Sequence, residues 1–296
     1  MKKTTLSLAI LALAMGFNSC SNDNENEAAA PKYITVTTQI GSMTRVNATF
    51  DEAQYFENGD QISVYAWAGA ETSGYNDARV VDNSINTYDG TSWTATPQML
   101  WKNTYDTHYF IALYPKTETS VGDLENFDYT LNVSDQVKSD LLVATNLTGL
   151  ESSNNPVNLT FSHVMAKIRV KLNFRNQWGG NMGEVSVALK DARTSAKVNC
   201  LTKQVIASNP SNLALPSTDG NTEYTSIVVP SDGVKSIIVK IQGKDYTYNS
   251  SSDIRLQSGK ITNISLNVGR DEITLSSVNI DDWDNSGTDY SGEAQE

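Results

Sequence analysis

The sequence predicts an all-β protein built as two tandem antiparallel β-sandwiches, and three observations carry that prediction. From Tyr33 onward apolar residues recur with period two, the spacing of half-buried strands. Turn-forming pairs such as Asn58-Gly59, Asp89-Gly90, Gly179-Gly180, Asp219-Gly220, Asp232-Gly233 and Ser258-Gly259 punctuate these stretches. No stretch repeats apolar residues at helical spacing, and Asp135 to Leu142 has room for only a turn or two. So much strand exceeds what one sandwich needs, which implies two domains, 33–153 and 154–296, divided within the polar run Glu151–Pro156.

Residues 1–19 read as a secretory leader. Lys2 and Lys3 form a positive start, and Leu6 to Phe17 an apolar stretch shorter than the roughly 20 residues that a membrane-spanning helix needs. The stretch closes on Phe17-Asn18-Ser19-Cys20. A small residue before the first cysteine resembles a bacterial lipobox, in which Cys20 is lipidated and becomes the new N-terminus. Phe17 departs from the usual Leu three positions before the cysteine. The alternative is a plain signal peptide cut nearby, which leaves Cys20 as a free thiol. Residues 20–32, with the acidic run Ser21–Glu27 and then Ala28-Ala29-Ala30-Pro31, read as a flexible tether. The run resembles the acidic stretch of surface-exported lipoproteins in some Gram-negative anaerobes, and equally suits a solvated linker.

The strands follow in order. Ile34, Val36, Thr38 and Ile40 alternate with Tyr33, Thr35, Thr37 and Gln39. Ile62, Val64 and Ala66 alternate with Ser63, Tyr65 and Trp67; Tyr109–Tyr114 is an aromatic run; Phe127, Tyr129, Leu131 and Val133 form another set. The cleanest pattern is Val164–Phe174, apolar at every even position and polar or charged at every odd one from Lys167, the signature of one face on a core and one in water. Later strands are expected at Glu184–Leu189, Tyr224–Val229, Ser236–Ile241, Ile261–Val268 and Glu272–Ile280. In the last, the apolar spacing shifts between Leu275 and Val278, which predicts a bulge or a bend.

Composition removes several functions. The chain has 22 Lys+Arg against 34 Asp+Glu, a net charge of −12, which opposes binding to a nucleic-acid phosphate backbone. Two cysteines and two histidines make neither a disulfide framework nor a zinc site, and no metal or cofactor is expected. Cys200 reads as a small side chain in a strand. Ser162 and His163 are adjacent in one strand and so point to opposite faces, which favours a structural histidine over a nucleophile pair. His108 sits in an aromatic strand. Asp281, Asp282 and Asp284 around Trp283 lack the spacing of a calcium loop and read as a solvated acidic turn with an anchoring Trp. No phosphate-binding, hydrolase or zinc-protease motif is present, so the chain is not expected to be an enzyme.

Three patches in order, behind a lipoprotein-type leader, carry a resemblance. The first is Ile34-Thr-Val-Thr-Thr-Gln-Ile-Gly-Ser-Met-Thr44-Arg45, then Phe56-Glu-Asn-Gly59-Asp60-Gln-Ile62-Ser-Val64-Tyr65. The second is Asp140-Leu-Leu-Val-Ala, then Val157-Asn-Leu-Thr-Phe161-Ser-His163-Val-Met-Ala166-Lys-Ile168-Arg-Val170. The third is Ile261-Thr-Asn-Ile-Ser-Leu266, continuing to Ile280-Asp-Asp-Trp283. Together they resemble the fimbrillin family, the Mfa-like pilins of type V pili, over nearly the whole mature chain. The resemblance implies a lipoprotein precursor with two transthyretin-like sandwich domains, placed on the outer membrane and surface-exposed. It further implies a structural or adhesive fimbrial subunit whose first strand is removed by an arginine-specific protease, so that a strand from a neighbouring subunit fills the groove. Here the cleavable bond would be Arg45–Val46, and the released strand would carry Ile34, Val36, Thr38 and Ile40. The donor would lie in 272–283 with Ile273, Leu275, Val278 and Ile280 as anchors. Partners would be other fimbrial subunits, the protease, the membrane through the lipid and a receptor on a host or bacterial surface.

Two plainer readings stand beside this one. Arg45 can simply end a strand, and Arg79 and Arg270 also lie near expected loops. Tyr65, Trp67, Trp93, Trp101, Tyr105 and Tyr109 concentrate in the first domain, where they either fill a core or stack on sugar rings. The second option would make the chain a monomeric, lipid-anchored glycan-binding protein.

Overall fold

The computed structural model describes residues 33–41, 55–71, 75–76 and 78–283. The expected leader, Cys20, the tether, Arg45, Val46 and Asp284 lie outside the described residues. In chain order the first eight strands are β1 (Val36–Ile40), β2 (Gln61–Ala68), β3 (Arg79–Tyr88), β4 (Trp93–Thr96), β5 (His108–Tyr114), β6 (Phe127–Thr130), β7 (Leu142–Leu150) and β8 (Val157–His163). All but β6 form one seven-stranded sheet in the order β1-β8-β7-β5-β2-β3-β4. One helical turn, Gln136–Ser139, separates β6 from β7, and Asp135 caps it by accepting from the Lys138 amide at 3.1 Å.

The second half supplies β9 (Ala166–Phe174), β10 (Val185–Val198), β11 (Val205–Leu215), β12 (Glu223–Val228), β13 (Ser236–Ile241), β14 (Lys244–Asn249), β15 (Lys260–Val268) and β16 (Ile273–Asp282). One sheet runs β11-β10-β13-β14, with β6 also on β10, and another runs β12-β9-β15-β16. The architecture is all-β, as the period-two pattern predicts. Most pairings are antiparallel, but β1 with β8 and β9 with β15 are parallel. Each parallel pair joins strands far apart in sequence, which only long crossover connections allow.

Strand β2 shows why the sheets stack. Ile62, Val64 and Ala66 enter one core, while Tyr65 and Trp67 on the opposite face enter a second, so the strand is buried on both sides. The second and larger core joins Tyr65, Trp67 and Leu113 to Val187, Val239 and Leu266. On β9 the expected alternation places Ile168, Val170 and Leu172 in the core and Lys171 outside. Lys167 departs from it: the residue is buried, and its ammonium lies 5.6 Å from the centre of the Trp283 ring. An aromatic face offsets part of the cost of desolvating that charge.

The chain leaves the seven-stranded sheet between His163 and Ala166. Strand β8 follows residue 153 yet pairs with β1 and β7, and β6 precedes it yet pairs with β10. The segments on either side of the polar run at 151–156 therefore interlock.

Cys200 is fully buried, and burial pushes its thiol up to about 12. The protonated thiol is a poor nucleophile. In a Cys20→Ser chain, titration of the native protein with a soluble aromatic disulfide at mildly alkaline pH should therefore release almost no thiolate, and denaturation should restore one equivalent. Rapid reaction of the native chain would show that the turn around Cys200 opens.

Candidate functional site

Two strand edges carry the residues that the sequence singles out. Strand β1 lies at the end of the seven-stranded sheet and pairs in parallel with β8, Val36 opposite Val157 and Ile40 opposite Phe161. The Val157 amide donates to the Thr35 carbonyl at 2.8 Å, and the Gly41 amide to the Phe161 carbonyl at 2.8 Å. At the start of the segment the Ile34 amide donates to the Met99 carbonyl at 3.0 Å, so the entry to β1 is held from both sides. Asn155 fixes the same end, accepting from the Thr35 amide and donating to the Thr35 hydroxyl, each at 2.9 Å.

Alternation decides what this strand buries. Ile34, Val36 and Ile40 enter the smaller core with Phe56, Met99, Trp101, Leu159 and Phe161. Thr38, on the same face, accepts a hydrogen bond from the Trp93 indole at 3.0 Å. Below them Phe56 packs edge-on against Trp93, Tyr114 and Phe161 at 5.1, 5.4 and 5.2 Å. The four residues predicted for a removable strand thus share one face, three of them as apolar plugs. Removing them would uncover both apolar pockets and the unpaired edge of β8.

Strand β16 is the other edge. It runs antiparallel to β15 with Ile273 opposite Val268, Leu275 opposite Leu266, Val278 opposite Ile264 and Ile280 opposite Thr262. Ser276 is left without a partner between the Leu266–Leu275 and Ser265–Ser277 pairs, which is the bulge that the spacing shift predicts. Directly opposed residues point to the same face, so the four predicted anchors face the core side of β15. Being at the edge, they are poorly covered: Leu275 is 42% and Val278 55% exposed, whereas Ile264 and Leu266 opposite are buried. An apolar row on an unpaired edge is a feature that soluble sheets ordinarily suppress. Polar pairs hold the strand outside, Arg175 with Glu272 at 3.1 Å and Lys260 with Asp282, each a weak exposed contact.

The strand ends on Trp283, which is buried and stacked on His163 at 4.0 Å and 8°. Nδ1 of that histidine lies 2.9 Å from Asp140. Ser162 points elsewhere and accepts from the Lys203 ammonium at 3.1 Å, so serine and histidine share no site. His108 is also structural. Burial holds it below the usual imidazole range, Nδ1 meets the Asp106 carbonyl at 2.8 Å, and Nε2 accepts from the Lys102 amide at 3.1 Å. Asp281 accepts from Asn263 and Asn279, each at 2.8 Å. Among the described residues no group of three His, Cys, Asp or Glu side chains is placed to hold a metal.

The aromatic residues divide unevenly. Tyr65, Trp67 and Trp101 are core, Trp93 and Tyr109 are partly covered, and Tyr105 alone of the six is strongly exposed at 75%. They do not assemble into a stacking platform. Arg79 is no exposed loop arginine either: its side chain is 6% exposed and bonded to Asp82 and Ser120. Arg270 lies over the Trp178 ring at 5.2 Å.

These features define a β-sandwich protein whose distinctive chemistry lies along two strand edges. The chain belongs to the fimbrillin-like family, whose sequence profile matches residues 44–283. The matched span begins after β1. No curated protein matches the chain. Among solved structures it is similar to a protein of Bacteroides ovatus assigned to cell adhesion, with 22% identity, coverage of 86% of this chain and 98% of that one, and a TM-score of 0.68. A similarly assigned protein of Bacteroides uniformis gives 18% identity, coverage of 85% and 99%, and a TM-score of 0.65. The tip fimbrial protein Mfa3 of Porphyromonas gingivalis gives 10%, coverage of 85% and 99%, and 0.55. At these identities the likeness concerns the fold. No helix among the described residues is long and apolar enough to cross a membrane.

Proposed function

We propose that the chain is a structural or adhesive subunit of cell-surface fimbriae, assembled by proteolysis-triggered β-strand complementation. The observation that carries this reading is β1, an edge strand whose Ile34, Val36 and Ile40 plug a core made by the rest of the chain. The resemblance to a tip fimbrial protein supports a role in the same kind of assembly. In this reading Cys20 is lipidated and carries the precursor to the outer-membrane surface, and an arginine-specific protease cuts Arg45–Val46. The groove beside β8 then accepts a donor from a neighbouring subunit, and β16, with Ile273, Leu275, Val278 and Ile280, supplies the donor side chains. The role is non-enzymatic, and the partners are other fimbrial subunits and a receptor on a host or bacterial surface. In this reading the two tandem domains are 33–153 and 154–296, with β8 of the second paired back onto β1 and β7 of the first.

The mature N-termini recovered from cells test the reading. Membrane-associated precursor is expected to incorporate labelled palmitate at Cys20, and subunits in surface fibres to begin at Val46. Fibre subunits that begin at Cys20 would refute the processing step.

A further inference from the structure

Strand β8 serves both edges. Along Val157–Phe161 it carries β1, and two residues further on His163 carries Trp283, the residue that closes β16. The Trp283 amide donates to the Gly259 carbonyl at 2.9 Å, so Trp283 is held by that bond, by the ring stack and by the Lys167 ammonium near its ring, next to the exposed Lys260–Asp282 pair. The ring of His163 is itself oriented by Asp140; its Nε2 is buried and makes no hydrogen bond among the described residues. Next to this stack lies a cavity of about 340 Å³, whose wall includes Ile40, Phe56, Tyr114, Asp140, His163 and Trp283. Ile40 is the last residue of β1, and the Gly41–Phe161 bond that follows it fixes the same end of β8.

From this juxtaposition we infer that the His163–Trp283 stack is a latch that keeps β16 on its own subunit, and that departure of β1 loosens it. The inference rests on the strand-complementation reading for its purpose, though the contact itself does not depend on it. A side chain beside a void has fewer packing partners on that side, so its hold is sensitive to any further loss. Taking Ile40 away widens the void and frees the edge of β8 up to Phe161, two residues short of His163. The stack then competes poorly with solvent, and the end of β16 frays from β15. Release of the first strand would in this way open the acceptor groove and make the donor available in the same subunit. Until then the donor is held back, which prevents premature assembly.

Hydrogen exchange of the full-length chain tests the latch, with protection of amides 278–283 read relative to β2 so that a general loss of stability cancels. His163→Ala and Trp283→Phe should each raise exchange at 278–283 by about 3- to 10-fold, the scale of one aromatic contact. Ile40→Ala should do the same, although Ile40 is not part of β16. Val36→Ala is the control: Val36 plugs the same core but does not line the cavity, and it should leave the ratio unchanged. An unchanged ratio in His163→Ala would overturn the latch, and equal effects of Ile40→Ala and Val36→Ala would overturn its coupling to β1. The measurement does not read polymerisation, so failed assembly after cleavage would leave the latch standing, and a failed latch would leave the assembly reading intact.

Discussion

Treatment of the purified chain with an arginine-specific protease is expected to cut Arg45–Val46 and convert a monomer into SDS-resistant oligomers. The cut alone does not remove β1, because its hydrogen bonds to β8 and the three buried plugs remain. What changes is the statistics. Before cleavage the strand is tethered and rebinds at a high effective concentration; afterwards it is a peptide diluted into solvent. Ile34, Val36 and Ile40 stabilise the joint by a gross ~5–9 kcal/mol, taking ~1.5–3 kcal/mol for each buried side chain as an upper estimate. A donor with as many plugs can match that gain and wins by mass action at high subunit concentration. Arg45→Ala should abolish both cutting and oligomers, and Ile40→Ala should speed their appearance. Gel electrophoresis without boiling, with N-terminal sequencing of each band, reads all three results. A chain that loses residues up to 45 and stays monomeric would refute the complementation reading.

The sequence made some of these features legible and hid others for physical reasons. β1, β9, β15 and β16 announce themselves because each has one wet or partly wet face, which imposes alternation. The bulge at Ser276 was readable as a phase shift. Strand β2 was visible, but not which core its aromatics enter, because Ile62, Val64 and Ala66 and their neighbours Tyr65 and Trp67 are all apolar. The long ribbon β10–β11 was only partly visible: past Leu189 its phase breaks at a bulge, Asp191 takes φ 56°, and most of β11 is exposed. Pairing across the polar run at 151–156 could not be read from local composition, since β8 joins its sheet between β7, on the other side of that run, and β1, over a hundred residues away. The same holds for Trp283. An anchoring role was readable from a large aromatic in an acidic turn, but its partner His163 was set by the tertiary fold.

Truncation after Gly269 is expected to leave a folded monomer that can no longer act as a donor. Among the described apolar residues lost, Leu275 and Val278 are exposed and Ile273 and Ile280 half-buried, so of these Trp283 alone is taken from a buried place. Large aromatic truncations cost about 3–5 kcal/mol, and the exposed ion pairs add at most about 1 kcal/mol each. Against that loss, β9, β12 and β15 still pair, and the core residues Ile264, Leu266 and Val268 stay attached to β9 through the parallel register. Denaturant titration should therefore show a lower midpoint with a single cooperative transition, and complete unfolding would show that β16 is integral to the core. The assembly readout is sharper. A truncated subunit cut at Arg45 keeps its acceptor groove beside β8, so it should bind a donor from an intact subunit yet offer none onward. Mixed into intact subunits, it should shorten the oligomers in proportion to its fraction and occupy one end of each. If the truncated chain assembles normally with itself, the donor is not β16, and the exposed row Leu275–Val278 needs another partner.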